Sequence, residues 1–266
     1  MTDCYKREIN YLRISVTDRC NFRCIYCMPK SGVSLKKHSE ILSFEELIDI
    51  VSIGVELGIK KVRITGGEPL VRKGIVNFIG QLNAIDGIED IGLTTNGMLL
   101  SGMAEELYSA GLSRVNISLD SVDPEKFRRI TRYGDLRNVS AGIESALMVG
   151  MNPVKINFVL VPGINEDDKH EVREYCKIMN LQFRLIRQMN LEAGEFYPVE
   201  GGEGGVCSKC NRLRLTADGF LVSCLHSNER FNIREMGIEE AFNKAVYLKP
   251  ISGLGVKNHQ FYNIGG

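Results

Sequence analysis

Cys20, Cys24 and Cys27 fall within eight residues of one another, in the stretch DRCNFRCIYCMP from Asp18 to Pro29. Soft thiolates at C-x3-C-x2-C spacing on a short loop bind iron–sulfur clusters, zinc or copper(I). Three ligands rather than four is the informative number. A cubane cluster held by three cysteines keeps one iron open to an exogenous molecule, as catalytic metal sites keep an open position. A zinc ion would need a fourth ligand, and none of the four histidines lies close by in sequence. Cys207, Cys210 and Cys224 form a second group, C-x2-C-x13-C, with a hairpin pattern between its second and third members. Here two readings stand, because His226, two residues after Cys224, would complete a tetrahedral Cys3His zinc site as readily as the three thiolates would hold a cluster. Of the remaining cysteines, Cys4 lies near the terminus and Cys176 sits in a helical pattern that suits a packed thiol.

Six strand-like runs must position these groups: YLRISV, KKVRITGG, EDIGLTTN, SRVNISLD, VKINFVLV and QFRLIRQM, from residue 11 to residue 189. Amphipathic patterns separate them, the first opening with Ser43 as N-cap and Glu46 three residues on, the pattern of a capping box. Strand and helix in alternation predict a parallel sheet covered by helices, either a barrel or a doubly wound sheet. One face of several strands is polar at period two: Arg13 with Ser15, Lys61 with Arg63 and Thr65, Thr94 with Asn96, Asn116 with Ser118 and Asp120, Lys155 with Asn157. Helices on both sides of a parallel sheet leave no solvated face, so a partly open barrel with a polar lumen is expected. Burying cations without counter-charge is costly. Arg13, Lys61, Arg63 and Lys155 converging in a lumen therefore imply an anionic ligand or paired acids.

After Met189 the pattern breaks into NLEAGEFYPVEGGEGGV, five glycines in 17 residues, read as a connector. RLRLTADGFLVS then predicts a hairpin about Asp218-Gly219, and IEEAFNKAVYL a last helix. The expected division is a barrel over 1–189 and a smaller region over 190–266 that carries the second cysteine group and closes the barrel.

Lys and Arg number 33 against 33 Asp and Glu, with a pI near 6.9. A balanced field gives no reason to expect nucleic acid or a membrane as partner. No stretch of about 18 apolar residues occurs, and the polar start MTDCYKREINYLR has no apolar core of a signal peptide. The chain reads as cytoplasmic, where clustered cysteines favour metal sites over disulfides.

TDRCNFRCIYCMP resembles the cluster loop of the radical S-adenosylmethionine (SAM) superfamily, and ITGGEP, Ile64 to Pro69, its second-strand motif that contacts the SAM amino group. Within it, LRISVTDRCNFRCIYCMPK, KKVRITGGEPLVR, GIEDIGLTTNG, VNISLDS, CNRLRLTADG and the Gly265-Gly266 terminus resemble the GTP 3′,8-cyclase family of molybdenum cofactor biosynthesis. The resemblance implies a partial (β/α)6 TIM-like barrel with a small C-terminal cluster-binding hairpin region. It implies SAM on a [4Fe-4S] cluster at Cys20, Cys24 and Cys27, and GTP on a second at Cys207, Cys210 and Cys224. Tyr26, Gly67, Ser118 and Met189 match residues that contact SAM. Arg13, Lys61, Arg63, Thr94, Lys155, Arg184, Arg212, Arg214, Gly265 and Gly266 match those around the nucleotide, with Arg212 and Arg214 in the catalytic role. Implied partners are GTP, an electron donor such as flavodoxin or ferredoxin, the next enzyme of the pathway, and a second copy in a homodimer.

Two departures stand out. Family members carry several tens more residues between the sixth strand and the second cysteine group, so a more open lumen is expected here. Arg187 stands where the family usually has an acid, a charge reversal expected near the site. Two other readings stay beside the cyclase: a paralogous radical SAM enzyme acting on another nucleotide or a peptide, and a non-enzymatic iron–sulfur or zinc protein, which the GGEP stretch argues against.

Overall fold

Alternation of apolar and polar residues settles which way each strand faces. A computed structural model describes residues 1–256. Its strands are β1 (Tyr11–Ser15), β2 (Lys61–Thr65), β3 (Asp90–Thr95), β4 (Arg114–Ser118), β5 (Val154–Leu160), β6 (Gln182–Arg187), β7 (Arg212–Leu215), β8 (Phe220–Val222) and β9 (Arg230–Asn232). The helices are α1 (Phe44–Glu56), α2 (Ile75–Asn83), α3 (Ala104–Ser109), α4 (Pro124–Thr131), α5 (Leu136–Met148), α6 (Asp168–Ile178), α7 (Ile233–Met236) and α8 (Ile238–Tyr247). Leu12, Ile14, Val62, Ile64, Leu93, Val115, Ile117 and Ile156 are 0% exposed on the helix-covered face. Each such side chain contributes about 1.5–3 kcal/mol on burial. The period-two partners of these residues face inward. Ser43 caps α1 in the expected way: its side chain accepts from Glu46 N, and Glu46 accepts from Ser43 N.

The sheet order is β6-β5-β4-β3-β2-β1-β7-β8-β9. β1 to β6 are parallel in series, and β1 also pairs in parallel with β7, Arg13 opposite Arg214. The hairpin between β7 and β8 forms at Asp218-Gly219 as expected, and β9 adds a short third strand that alternation did not announce. The second cysteine group is thus carried by the same sheet as the first.

The sheet is not closed by strand pairing, yet it curls into a partial barrel. Arg184 of β6 and Arg212 of β7 stand at opposite edges of the seven parallel strands and still interact electrostatically. The Gly-rich connector spans the seam between them. Leu185 and Glu200 exchange backbone hydrogen bonds of 3.0 and 3.1 Å, and Arg212 Nη2 donates to the Glu203 carbonyl at 3.0 Å. The expected openness is therefore reduced by the connector itself.

Candidate functional site

All seven parallel strands send their C-terminal ends to one rim, where Cys20, Cys24 and Cys27 follow β1. The chain leaves β2 through Gly66, Gly67 and Glu68, and this turn docks on the cysteine loop: Gly67 N donates to the Thr17 carbonyl and Glu68 N to the Arg19 carbonyl, both at 2.7 Å. A Cβ on Gly67 would stand 2.3 Å from the Arg19 carbonyl oxygen, so only glycine allows this approach. Arg132 reaches the loop from the end of α4, donating to the carbonyls of Arg23 (2.9 Å) and Met28 (2.8 Å). Burial pushes the thiols up, Cys20 to about 11, Cys27 to about 12 and Cys24 well above its usual value; Asp120, Cys27 and Cys20 raise Cys24 further, and Cys20 raises Cys27. Mutual repulsion of this kind means the three sulfurs converge, and a cationic cluster core would reverse it.

Two acids brace this rim. Glu68 is 1% exposed and accepts from Leu70 N (3.0 Å), Thr95 Oγ1 (2.7 Å) and Asn96 N (2.7 Å), tying the ends of β2 and β3 together. Burial raises its carboxyl to about 7 against these donors. Asp120 accepts from the Tyr26 hydroxyl at 2.7 Å and from Val159 N at 2.8 Å, which fixes the Tyr26 ring, and burial raises it to about 6. A folded pKa above the unfolded one of about 4.3 means the folded chain keeps the proton longer, so stability falls as pH rises from about 4.5 to 7. Glu68→Gln removes this part of the slope and leaves an N–H opposed to an N–H. It is expected to cost about 1–3 kcal/mol in urea unfolding of the metal-free protein, with a flatter pH profile than the wild type.

Below the rim lies a cavity of about 550 Å³ lined by Arg13, Lys61, Arg63, Thr94, Lys155, Arg184, Met189, Arg212 and Arg214, among others. It reaches Cys207, Cys210, Cys224 and His226 but not the first cysteine group. Cys210 precedes β7 and Cys224 follows the antiparallel β8, which places them at the opposite end from Cys20, Cys24 and Cys27. The structure therefore puts the two triads at the two ends of one lumen, with the cations toward the second. Gly92 makes room for Arg63, since a Cβ there would stand 2.8 Å from its guanidinium carbon.

The like charges strain one another. Burial, then Arg212, lowers Arg214 to about 10; burial, then Arg184, lowers Lys155; burial, then Arg214, lowers Arg13 well below its usual value. Among the described residues Arg63 Nη1, Arg184 Nε, Arg212 Nε, Asn116 Oδ1 and Asn157 Oδ1 are buried without a hydrogen-bond partner. Arg63 is only 4% exposed. Buried polar atoms are almost always satisfied. A ligand with anionic oxygens and hydroxyl groups would supply what these atoms lack.

Sequence reasoning missed several lumen residues. Tyr11 accepts from Arg63 Nε at 2.9 Å; burial works to raise its phenol, but Arg63 and Arg13 bring it below the usual value. Its place on the face of Arg13 was the available signal, the same period two that put Asn116 and Asn157 on the expected lumen face. Arg114 is ion-paired with Asp90 across β3 and β4, which sets an acid in the cavity wall. Arg187 does not line the cavity: it points to the other face of β6, with its guanidinium 5.6 Å from the Tyr197 ring centre. The charge reversal expected near the site lies outside the lumen. Ser118 ends β4 at the upper rim, half-buried. Gly265 and Gly266 lie outside the described residues.

The second triad differs electrostatically from the first. Burial works to raise Cys210, but Lys249 and Arg212 outweigh it and hold the thiol below its usual value, whereas burial raises Cys224. His226 is 4% exposed, stacks on Phe196 at 4.7 Å, and has neither ring nitrogen hydrogen-bonded among the described residues. No three Cys, His, Asp or Glu side chains among the described residues gather closely enough to hold a single metal ion; the thiols of a cubane bind different irons and stand further apart than that. The first end offers thiols only and the second three thiols with His226 beside them, both free of disulfides; three thiols suit an iron–sulfur cluster.

Residues 14–176 match the model of the radical SAM superfamily. The chain is 46% identical to the GTP 3′,8-cyclase of Petrotoga mobilis over 314 aligned positions, covering 98% of this chain and 95% of that one. With the cyclase of Thermodesulfovibrio yellowstonii it shares 43% over 304 positions, 94% of each. An alignment of 314 positions against 266 residues leaves at least 48 (314 less 266) facing gaps in this chain. Among solved structures, Streptococcus suis SuiB bound to S-adenosylmethionine superposes with a TM-score of 0.67 at 14% identity, covering 92% of this chain and 65% of that one. At that identity the likeness is one of fold.

Proposed function

This chain belongs to the radical SAM superfamily and, within it, to the GTP 3′,8-cyclases, and from that membership we infer how the two ends of its lumen divide the work. The enzyme cyclises GTP to 3′,8-cyclo-7,8-dihydro-GTP, the first step of molybdenum cofactor biosynthesis. An iron–sulfur cluster held by Cys20, Cys24 and Cys27 supplies, when bound, the electron that splits SAM into methionine and a 5′-deoxyadenosyl radical.

The chain's own residues bind, orient and shield. Tyr26, fixed by Asp120, together with Gly67, Ser118 and Met189, forms the SAM end. Arg13, Lys61, Arg63, Lys155, Arg184, Arg212 and Arg214 hold the triphosphate by charge-assisted hydrogen bonds. Thr94, Asn116 and Asn157 line the stretch between, where ribose C3′ must lie to lose its hydrogen and join guanine C8. Arg212 and Arg214 fix the nucleotide while the ring closes. The observation that carries this reading is the cation-lined lumen, which reaches the second thiol triad and lies below the rim that carries the first. Residues 190–266 serve as the unit that closes the barrel, and Gly265 and Gly266 are proposed to contact the nucleotide.

A second [4Fe-4S] cluster at Cys207, Cys210 and Cys224 would anchor guanine through its open iron. One observation favours the zinc alternative: His226 keeps both ring nitrogens without a partner, two residues from Cys224. Metal analysis separates them, with about eight irons per chain for two cubanes against about four plus one zinc. The relatives at 43–46% identity favour GTP over another nucleotide or a peptide. Flavodoxin or ferredoxin is the proposed electron donor, a homodimer the proposed assembly, and the next enzyme of the pathway the proposed recipient of product. Among the described residues no helix is long and apolar enough to cross a membrane.

The test is anaerobic turnover of cluster-reconstituted protein with SAM, reductant and either GTP, ATP or no nucleotide. Formation of 5′-deoxyadenosine that rises with GTP and not ATP is expected. Equal cleavage in all three arms would overturn the substrate assignment.

A further inference from the structure

Lys249 follows α8 by two residues and is 2% exposed. Its Nζ donates to the carbonyls of Arg212 (2.7 Å) and Ser223 (2.6 Å), and it interacts electrostatically with the Cys210 thiol. With both carbonyls satisfied, an ammonium keeps a third N–H for the cysteine end, which a neutral amine lacks. Both carbonyls adjoin the second cysteine group: Ser223 immediately precedes Cys224, and Arg212 lies two residues beyond Cys210. The salt bridges among the described residues do not include Lys249. Burial opposes its charge, and the groups that favour it are the sulfurs of Cys210 and Cys224. Arg7 also opposes it, but Arg7 is matched by Asp3 at 2.6 Å. Burying an ammonium with no carboxylate beside it is costly. Among the described residues no acid pairs with it, and an anionic group held by the cysteines would supply the counter-charge.

We propose that Lys249 is a positioning residue for the second cysteine group: its ammonium ties the strand end carrying Cys210 to the one carrying Cys224, and supplies the fixed positive charge that balances an anionic cluster there. The proposal rests on the reading that this triad holds an iron–sulfur cluster. Three thiolates leave a cubane negatively charged, more so once reduced. A fixed cation against its sulfurs therefore stabilises the reduced form and raises the reduction potential. It makes the cluster at this end easier to reduce than the same cluster would be without it.

The test is an electron paramagnetic resonance redox titration of the full-length reconstituted protein, with iron counted per chain. Cys224→Ala should remove one of two reduction steps and about half of the iron; if both steps persist, the reading of the triad as a cluster site fails, independently of Lys249. Lys249→Met should move that same step to lower potential, or lose it, while the other step stays in place, and Lys249→Arg should restore it. An unmoved step in Lys249→Met overturns the proposal. So does loss of the step in both variants, which would show that the site needs the shape of lysine and not its charge.

Discussion

Cys24→Ala should bring SAM cleavage down to background, a loss of roughly a thousandfold or more, equivalent to about 4 kcal/mol in the barrier. Cys24 is the middle thiol of its group, interacting with Cys20 and Cys27 on either side and with Asp120. Two thiols cannot hold a cubane with one open iron. The lumen should survive, because the cavity wall includes none of Cys20, Cys24 and Cys27. The variant is thus expected to bind GTP with wild-type affinity by calorimetry while forming no 5′-deoxyadenosine. Residual cleavage at a tenth of the wild-type rate would contradict the assignment of this triad.

Arg212→Ala tests the other end. Its Nε has no partner among the described residues, its Nη2 donates to the Glu203 carbonyl, and its guanidinium lies 5.9 Å from the Tyr11 ring centre. Removing one hydrogen bond to a charged group costs about 1.5–3 kcal/mol, roughly 10- to 150-fold. The KM for GTP should rise by that factor, with SAM affinity unchanged. Lys at the same position should recover part of the loss, since it restores the charge but not the planar fork. Equal losses toward GTP and SAM would mean that Arg212 acts on the fold and not on the nucleotide. The same substitution also frees the connector from β7, so a change in protease sensitivity near Glu203 is a useful control.

How legible each part was depended on how local its cause is. Ser43 and Glu46 sit three residues apart, and their capping box was visible because it closes within one turn. The lumen face was visible because period two on a strand is also local, and it placed Arg13, Lys61, Arg63, Thr94 and Lys155 on one wall before any fold was known. Arg187 does not enter the lumen, because the same alternation, applied to Arg184 and Ile186, sends it to the opposite face, against Tyr197 of the cavity wall. What stayed hidden depends on contacts far apart in sequence. Lys249 meets Arg212 across 37 residues, and Arg7 reaches the Cys207 carbonyl across 200. Neither residue belongs to a periodic pattern, so nothing local marks it. The connector is the third case: its glycines signalled a loop, but its pairing with Leu185 follows from the curl of the sheet, which is a property of all the strands together.

Hydrogen is expected to leave ribose C3′ of GTP within this lumen and pass to the fragment of SAM generated at the first triad. The measurement that bears on it most directly is turnover with GTP deuterated at C3′, followed by mass spectrometry of both products. The expected result is 5′-deoxyadenosine carrying one deuterium together with a cyclised isomer of GTP that has lost it. Unlabelled 5′-deoxyadenosine beside intact GTP would contradict it.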